Sequence, residues 1–146
     1  MIVYADSSFL VSSYSGDAHS IEADNRRALL PTILMTPFVR AEVCAALYQQ
    51  VFQKRVSLAQ ANMAWQDFEQ DGNNGTLTRI DFPLAALPRT VDLAKRFAPT
   101  LGVRTLDSLH VACALELKAE CFWTFDERQA RLAEAVGLNT ATPTAA

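Results

Sequence analysis

The first ten residues, MIVYADSSFL (residues 1–10), show how the chain is built. An apolar run typical of a buried strand ends at Asp6, and the mixed run SSFLVSSYS that follows is typical of a helix. Short apolar runs and longer helical segments keep alternating along the chain. This order predicts an α/β fold with a central, mostly parallel sheet flanked by helices.

Two helix starts carry recognisable capping residues. Thr36 stands before Pro37, which is the arrangement of a cap followed by proline at the first helical position. Ser57 with Gln60 three residues later has the pattern of a capping box. We therefore expect helices that begin at Pro37 and at Ser57.

Turn residues and prolines set the remaining boundaries. The run DGNNG at 71–75 predicts a loop, and TLTRIDF after it alternates like a strand. Pro83 and Pro88 delay the next helix, which we expect at 89–97. The last elements are expected as a helix at 105–118, a buried strand CFWTF at 121–125, and a helix at 126–136 that stops at Gly137.

Length and composition indicate one ordinary globular domain. The chain has 146 residues, of which 50% are hydrophobic and 20% charged. We assign residues 1–138 to a single domain and expect the small polar run at 139–146 to be a flexible tail. No basic leader is present, and no apolar run approaches the roughly 20 residues of a membrane span, so we expect a cytoplasmic protein.

Charge and cysteine content limit the possible functions. The net charge of −3 repels nucleic acid overall, so a phosphate-bearing substrate needs local arginines or metal ions. Cys44, Cys113 and Cys121 are an odd number without a CxxC pair, which argues against a disulfide framework or a zinc knuckle. We expect them to be buried as small apolar residues.

Acidic side chains stand in unusual places. Asp6 and Asp126 each follow an apolar strand, where they either cap a helix or lie together at the carboxyl edge of a parallel sheet. Glu42 and Asp107 share helix faces with apolar residues. The alternatives are a salt bridge from Glu42 to Arg40, and stabilisation of Asp107 by the helix dipole.

A sharper hypothesis is that Asp6, Glu42, Asp107 and Asp126 converge. Clustered carboxylates repel one another unless a cation neutralises them, and an all-oxygen set suits Mg²⁺ or Mn²⁺. The hydroxyls of Ser8 and Thr124, two residues from Asp6 and Asp126, are candidates to orient a carboxylate or a metal-bound water.

The order and setting of these acids resemble a PIN domain, and especially the VapC toxins of bacterial toxin–antitoxin pairs. The resemblance runs from residue 1 to about residue 138, and the stretch at 47–75, the helical arm of these proteins, matches only in helical character. The matching pieces are YADSSFL with Asp6, TPFVRAEVCAAL with Glu42, RTLDSLHVACALE with Asp107, and FWTFDERQARLAEAVGL with Asp126.

The resemblance implies a three-layer fold and a metal-dependent endoribonuclease that cuts tRNA or rRNA, with the four acids as metal-binding and catalytic residues and Mg²⁺ or Mn²⁺ as cofactor. It also implies a homodimer and a small antitoxin as partner. Candidate groups for substrate phosphates are Arg40, Arg104, Arg128 and Arg131; candidates for an antitoxin groove, or for core packing, are Tyr48, Phe52, Trp65 and Phe68. His110 is expected to be a packed, hydrogen-bonded residue beside the site.

Other interpretations remain at this point. The chain is alternatively a PIN-like module that binds RNA or protein without catalysis. A phosphatase of the haloacid dehalogenase kind would carry D-x-D after the first strand, where this chain has DSS. A zinc protein would use His110 with Cys44, Cys113 and Cys121, and would contain stoichiometric zinc.

Overall fold

A computed structural model describes residues 1–141, so the end of the expected tail, at 142–146, lies outside the described residues. Two helices separate each strand from the next, and one helix follows the last strand. The elements are β1 (Ile2–Ala5), α1 (Ser7–Tyr14), α2 (Ser20–Arg27), β2 (Thr32–Met35), α3 (Pro37–Phe52), α4 (Leu58–Asn74), β3 (Leu77–Arg79), α5 (Ala86–Leu101), α6 (Thr105–Glu116), β4 (Cys121–Trp123) and α7 (Glu127–Ala135).

The strands form one parallel sheet in the order β3-β2-β1-β4. Ile2 pairs with Thr32 on one side of β1, and Val3 pairs with Cys121 on the other. Because all pairs are parallel, the carboxyl ends of the strands lie along one edge. The expected α/β fold, a parallel sheet flanked by helices, is confirmed.

The core covers the central strands on both faces. Val3, Tyr4 and Ala5 of β1 are fully buried in succession, as expected for a strand between two layers of helices. Helix α1 packs against α2, α3 and α4, while α5, α6 and α7 pack against one another. Cys113 and Cys121 are buried in this core and Cys44 is half-buried; all three are free thiols.

The capping residues act as predicted. Thr36 caps α3 by accepting a hydrogen bond from the Val39 N–H at 3.2 Å, and Pro37 is the first helical residue. At α4, Ser57 and Gln60 form both hydrogen bonds of a capping box.

The loop predicted for DGNNG is wrong. Helix α4 continues through Asn74, and only Gly75, at φ 85°, takes the left-handed conformation that ends it. Asp71 explains the difference, since its carboxylate accepts hydrogen bonds from Tyr14 at 2.5 Å and from Arg27 at 2.8 Å. These tertiary contacts outweigh the weak helix propensity of the segment.

Other predicted boundaries also shift. Helix α5 begins at Ala86 rather than at Arg89, because Pro88 lies in the first turn, where its missing N–H has no acceptor within the helix. The strand after Gly75 keeps only Leu77–Arg79, and α6 ends at Glu116, two residues earlier than expected.

Asn139, the first residue of the expected tail, forms a bridge to Cys121 and so lies beside β4.

None of the helices within residues 1–141 combines the length and apolar character that crossing a membrane requires.

Candidate active site

Asp6 lies at the carboxyl end of β1, in the middle of the sheet. Its side chain is 1% exposed. It caps α1 by accepting the Phe9 N–H at 3.0 Å, and it accepts hydrogen bonds from the hydroxyls of Ser8 at 2.8 Å and Thr124 at 2.9 Å. Burial raises the pKa of Asp6, and the nearby His110 and these donors oppose that rise.

Thr124 joins the end of β1 to the end of β4. Its hydroxyl donates to Asp6 and accepts the Asp126 N–H at 2.9 Å. The Ser8 hydroxyl oxygen accepts the Phe125 N–H at 3.0 Å, which ties α1 to the same turn. Asp6 and Asp126 therefore occupy adjacent turns at one edge of the sheet, as the parallel arrangement predicts.

The carboxylate of Asp126 caps α7. Its Oδ1 accepts the N–H groups of Arg128 at 2.9 Å and Gln129 at 3.0 Å. Capping was the simpler of the two interpretations that the sequence allowed for this residue. The structure shows that capping and a position at the sheet edge are compatible.

Glu42 is held by a histidine. Nε2 of His110, on α6, is hydrogen-bonded to Oε1 of Glu42, on α3, and the Ser7 hydroxyl donates to the same oxygen at 3.3 Å. Nδ1 of His110 lies 2.8 Å from the Tyr4 hydroxyl, so both ring nitrogens have partners. His110 is 1% exposed, and it is a packed, hydrogen-bonded residue as expected.

The direct contact between His110 and Glu42 was not predicted. The two residues are 68 positions apart, and only the fold brings them together. One signal was present in the sequence, since His110 follows Asp107 by three positions and so lies on the same side of α6.

Asp107 is buried in the first turn of α6 and is 2% exposed. Its Oδ2 accepts the Arg104 N–H at 2.9 Å and lies 3.6 Å from the Arg104 guanidinium Nε. The side chain thus closes the start of α6, where the helix dipole favours a negative charge.

In the described residues, the four acids do not form one set of side chains arranged to bind a metal ion. Within residues 1–141 no group of three His, Cys, Asp or Glu side chains is arranged to hold a metal ion. The donor chemistry nevertheless fits a hard divalent cation, because the sheet edge offers carboxylate and hydroxyl oxygens. Mg²⁺ in proteins commonly takes only one or two carboxylates and completes its shell with water.

Three of the candidate arginines lie together. Arg104, Arg128 and Arg131 line a pocket of about 410 Å³ with Asp126. Arg40 lies elsewhere: its guanidinium pairs with Glu69 at 2.6 Å and stacks 5.2 Å from the centre of the Trp65 ring. The pocket therefore groups three cations beside the acidic edge and leaves Arg40 out.

The aromatic residues of α3 and α4 do not form one exposed groove. Phe68 is fully buried in the core and Trp65 packs beside it, with ring centres 5.4 Å apart. The Tyr48 hydroxyl donates to Asn62 at 2.7 Å, and Phe52 at the end of α3 is 86% exposed. Phe68 thus has the core-packing role that the sequence left open.

Comparisons with known proteins give a family and a fold. The family model described as PIN domain matches residues 3–135. No curated protein sequence matches this chain.

Two solved structures resemble the chain over nearly its whole length. The first is VapC20 of Mycobacterium tuberculosis, described as a toxin that cleaves the sarcin–ricin loop; it is 16% identical, covers 97% of this chain and 99% of its own, and has a TM-score of 0.71. The second is VapBC2 of Rickettsia felis, solved with a DNA fragment from its promoter; it is 19% identical, covers 97% and 98%, and has a TM-score of 0.68. At these identities the likeness shows the fold.

Proposed function

Because this chain belongs to the PIN domain family, we propose that it is a metal-dependent endoribonuclease that acts as the toxin of a toxin–antitoxin pair. The observation that carries the proposal is the buried carboxyl of Asp6, placed at the carboxyl end of the central strand and bonded to Ser8 and Thr124. Ligand sites of parallel α/β sheets lie at this edge.

The proposed cofactor is Mg²⁺ or Mn²⁺. The residues that would hold it are Asp6, Glu42, Asp107 and Asp126, by one or two carboxylates directly and through water from the others. When bound, such an ion lowers the pKa of its water and stabilises the entering and leaving oxygens of a phosphodiester.

The chain's own side chains position these acids. Ser8 and Thr124 fix the two oxygens of Asp6, and His110 with Ser7 fixes Oε1 of Glu42. A carboxylate held in this way loses little conformational entropy when it takes a ligand.

The pocket of Arg104, Arg128 and Arg131 suits the RNA backbone. Guanidinium groups recognise phosphate oxygens in two-point contacts, and here they lie next to Asp126. Glu127 also lines the pocket and lies 3.7 Å from Arg131, so the three guanidinium groups exceed the two carboxylates there by one charge, in a chain whose net charge is −3. The proposed substrate class is tRNA or rRNA.

Two partners belong to the same proposal. One is an antitoxin of the VapB kind, supported by the likeness of the fold to VapC20 and VapBC2. The other is a second copy of this chain in a homodimer. Both would be tested by co-expression and by the mass of the purified protein in solution.

The deciding experiment compares RNA cleavage by three proteins. Wild type, Asp107→Asn and the exposed-surface control Asp67→Asn are each incubated with total RNA, once with Mn²⁺ and once with a chelator. We expect Mn²⁺-dependent cleavage by wild type and Asp67→Asn and none by Asp107→Asn. Binding of RNA by wild type without cleavage in any metal would instead favour the non-catalytic RNA-binding module.

A further inference from the structure

Three aromatic rings stack in a row beside the acidic edge. Phe125 follows β4, and its ring lies between Phe9, with ring centres 5.4 Å apart, and His19, with ring centres 4.4 Å apart. The planes of His19 and Phe125 differ by only 11°. His19 is exposed, so the row ends with an imidazole ring at the surface.

The turn that carries His19 is fixed by hydrogen bonds. The carboxylate of Asp17 accepts the His19 N–H at 2.8 Å, and the Ser12 hydroxyl donates to the same carboxylate at 2.7 Å. The Ser20 hydroxyl donates to the Ser12 carbonyl at 2.8 Å and anchors the turn to α1. The ring is thus presented by an ordered segment, which lowers the entropy cost of using it as a binding surface.

A cavity opens beside this ring. Its volume is about 410 Å³, within the usual range for small-ligand pockets of roughly 300–1,000 Å³. Its wall includes His19, Phe125, Gln50 and the serines Ser7 and Ser8 that contact Glu42 and Asp6. The cavity therefore adjoins the acidic edge directly.

Phe125 also lines the arginine pocket. An aromatic cavity and a cationic pocket thus share one wall, with Asp126 next to it. Single-stranded nucleic acids are bound by this combination, since bases stack on aromatic rings while cations hold the backbone.

We propose that the cavity beside His19 binds one unpaired RNA base, stacked on the His19 ring, while the arginine pocket holds a neighbouring phosphate. This inference rests on the proposed function and adds to it a base-stacking subsite formed by this chain's own His19. A paired base cannot reach the ring, because it remains stacked inside its helix.

The test measures binding, so that it does not depend on cleavage. Affinity for a labelled single-stranded RNA oligonucleotide is measured by fluorescence anisotropy on the Asp107→Asn background, together with His19→Gln, His19→Phe, and the control Phe52→Ala. Gln keeps a polar side chain but loses the ring; Phe keeps the ring. We expect about tenfold weaker binding for His19→Gln, and affinity close to that of the parent for His19→Phe and Phe52→Ala.

A second readout identifies stacking itself. The same oligonucleotide with 2-aminopurine at successive positions should show one position whose fluorescence is quenched on binding, and that quenching should be lost in His19→Gln. Annealing the complementary strand should abolish it. Equal affinities of parent, His19→Gln and His19→Phe, undiminished binding of the duplex, or no binding by the parent would overturn the inference.

The two proposals fail in different ways. Absence of metal-dependent cleavage by the protein with native Asp107 would refute the nuclease while leaving the binding comparison intact. Cleavage with unchanged binding by His19→Gln would refute the stacking site alone.

Discussion

The hydroxyls of Ser8 and Thr124 lie 3.2 Å apart, and both donate to the carboxyl of Asp6. These residues come from opposite ends of the chain, 116 positions apart. Thr124 also accepts the Asp126 N–H, so one hydroxyl connects two of the proposed metal-binding acids. The orientation of Asp6 therefore depends on the docking of β4.

Replacing Thr124 with valine removes this connection at nearly constant volume. The Asp6 carboxyl loses a donor and the Asp126 N–H loses an acceptor, so we expect RNA cleavage and Mn²⁺ affinity to fall by roughly 10–100-fold. The matched control is Thr78→Val, an exposed position on β3. Equal cleavage rates in the two variants would show that the hydroxyl does not position Asp6.

Replacing His110 with alanine should destabilise the protein. It removes the partner of the buried Tyr4 hydroxyl and one of the two partners of Glu42 Oε1, and it opens a cavity, at a cost of about 3 kcal/mol in the free energy of unfolding. The chain's other histidine provides the comparison, since His19→Ala at an exposed position loses only the stacking on Phe125 and should cost about 1 kcal/mol or less. Urea denaturation measures both, and similar midpoints would contradict the structural role of His110.

The arginines should differ in their effect on RNA binding. Alanine at Arg104, Arg128 or Arg131 should each lower affinity and reduce the slope of log Kd against log salt by about 0.7 per lost phosphate contact. Arg40→Ala should leave that slope unchanged, because Arg40 lies outside the arginine pocket and pairs with Glu69 at 2.6 Å, more closely than Arg131 pairs with Glu127 at 3.7 Å. If only Arg40→Ala reduced the slope, the RNA backbone would contact Arg40 and not the arginine pocket, which would contradict the prediction.

Gly75 should tolerate alanine poorly. Its φ of 85° ends α4 in the left-handed conformation, which costs an L-residue about 1–2 kcal/mol. Gly16→Ala is the matched control, because a Cβ there meets open space and no positive φ is required. Thermal unfolding should show a clear drop in Tm for Gly75→Ala and little change for Gly16→Ala.

Local sequence signals predicted the elements whose ends depend on local chemistry. The caps at Thr36 and Ser57 and the apolar run of β1, which ends before Asp6, are such cases. The loop predicted at 71–75 is wrong because Asp71 is hydrogen-bonded to Tyr14 and Arg27, which are distant in the chain. Propensity alone cannot anticipate contacts of that kind.

Within the candidate site, too, some features could be predicted from the sequence and others depend on tertiary packing. The parallel order of strands predicted that Asp6 and Asp126 lie at one edge, because that follows from topology. The bond between His110 and Glu42, and the stacking of His19 on Phe125, depend on how separate helices and turns pack. A single sequence shows the residue types but not their pairing.

The late position of β4 has a consequence during protein synthesis. A growing chain that has already emerged as far as β1, β2 and even α6 still lacks Thr124 and Asp126, so Asp6 then has only Ser8 and the Phe9 N–H as hydrogen-bond donors. Synthesis from the amino end therefore completes the hydrogen-bond donors around Asp6 only once β4 has been made, after the other three strands of the described sheet.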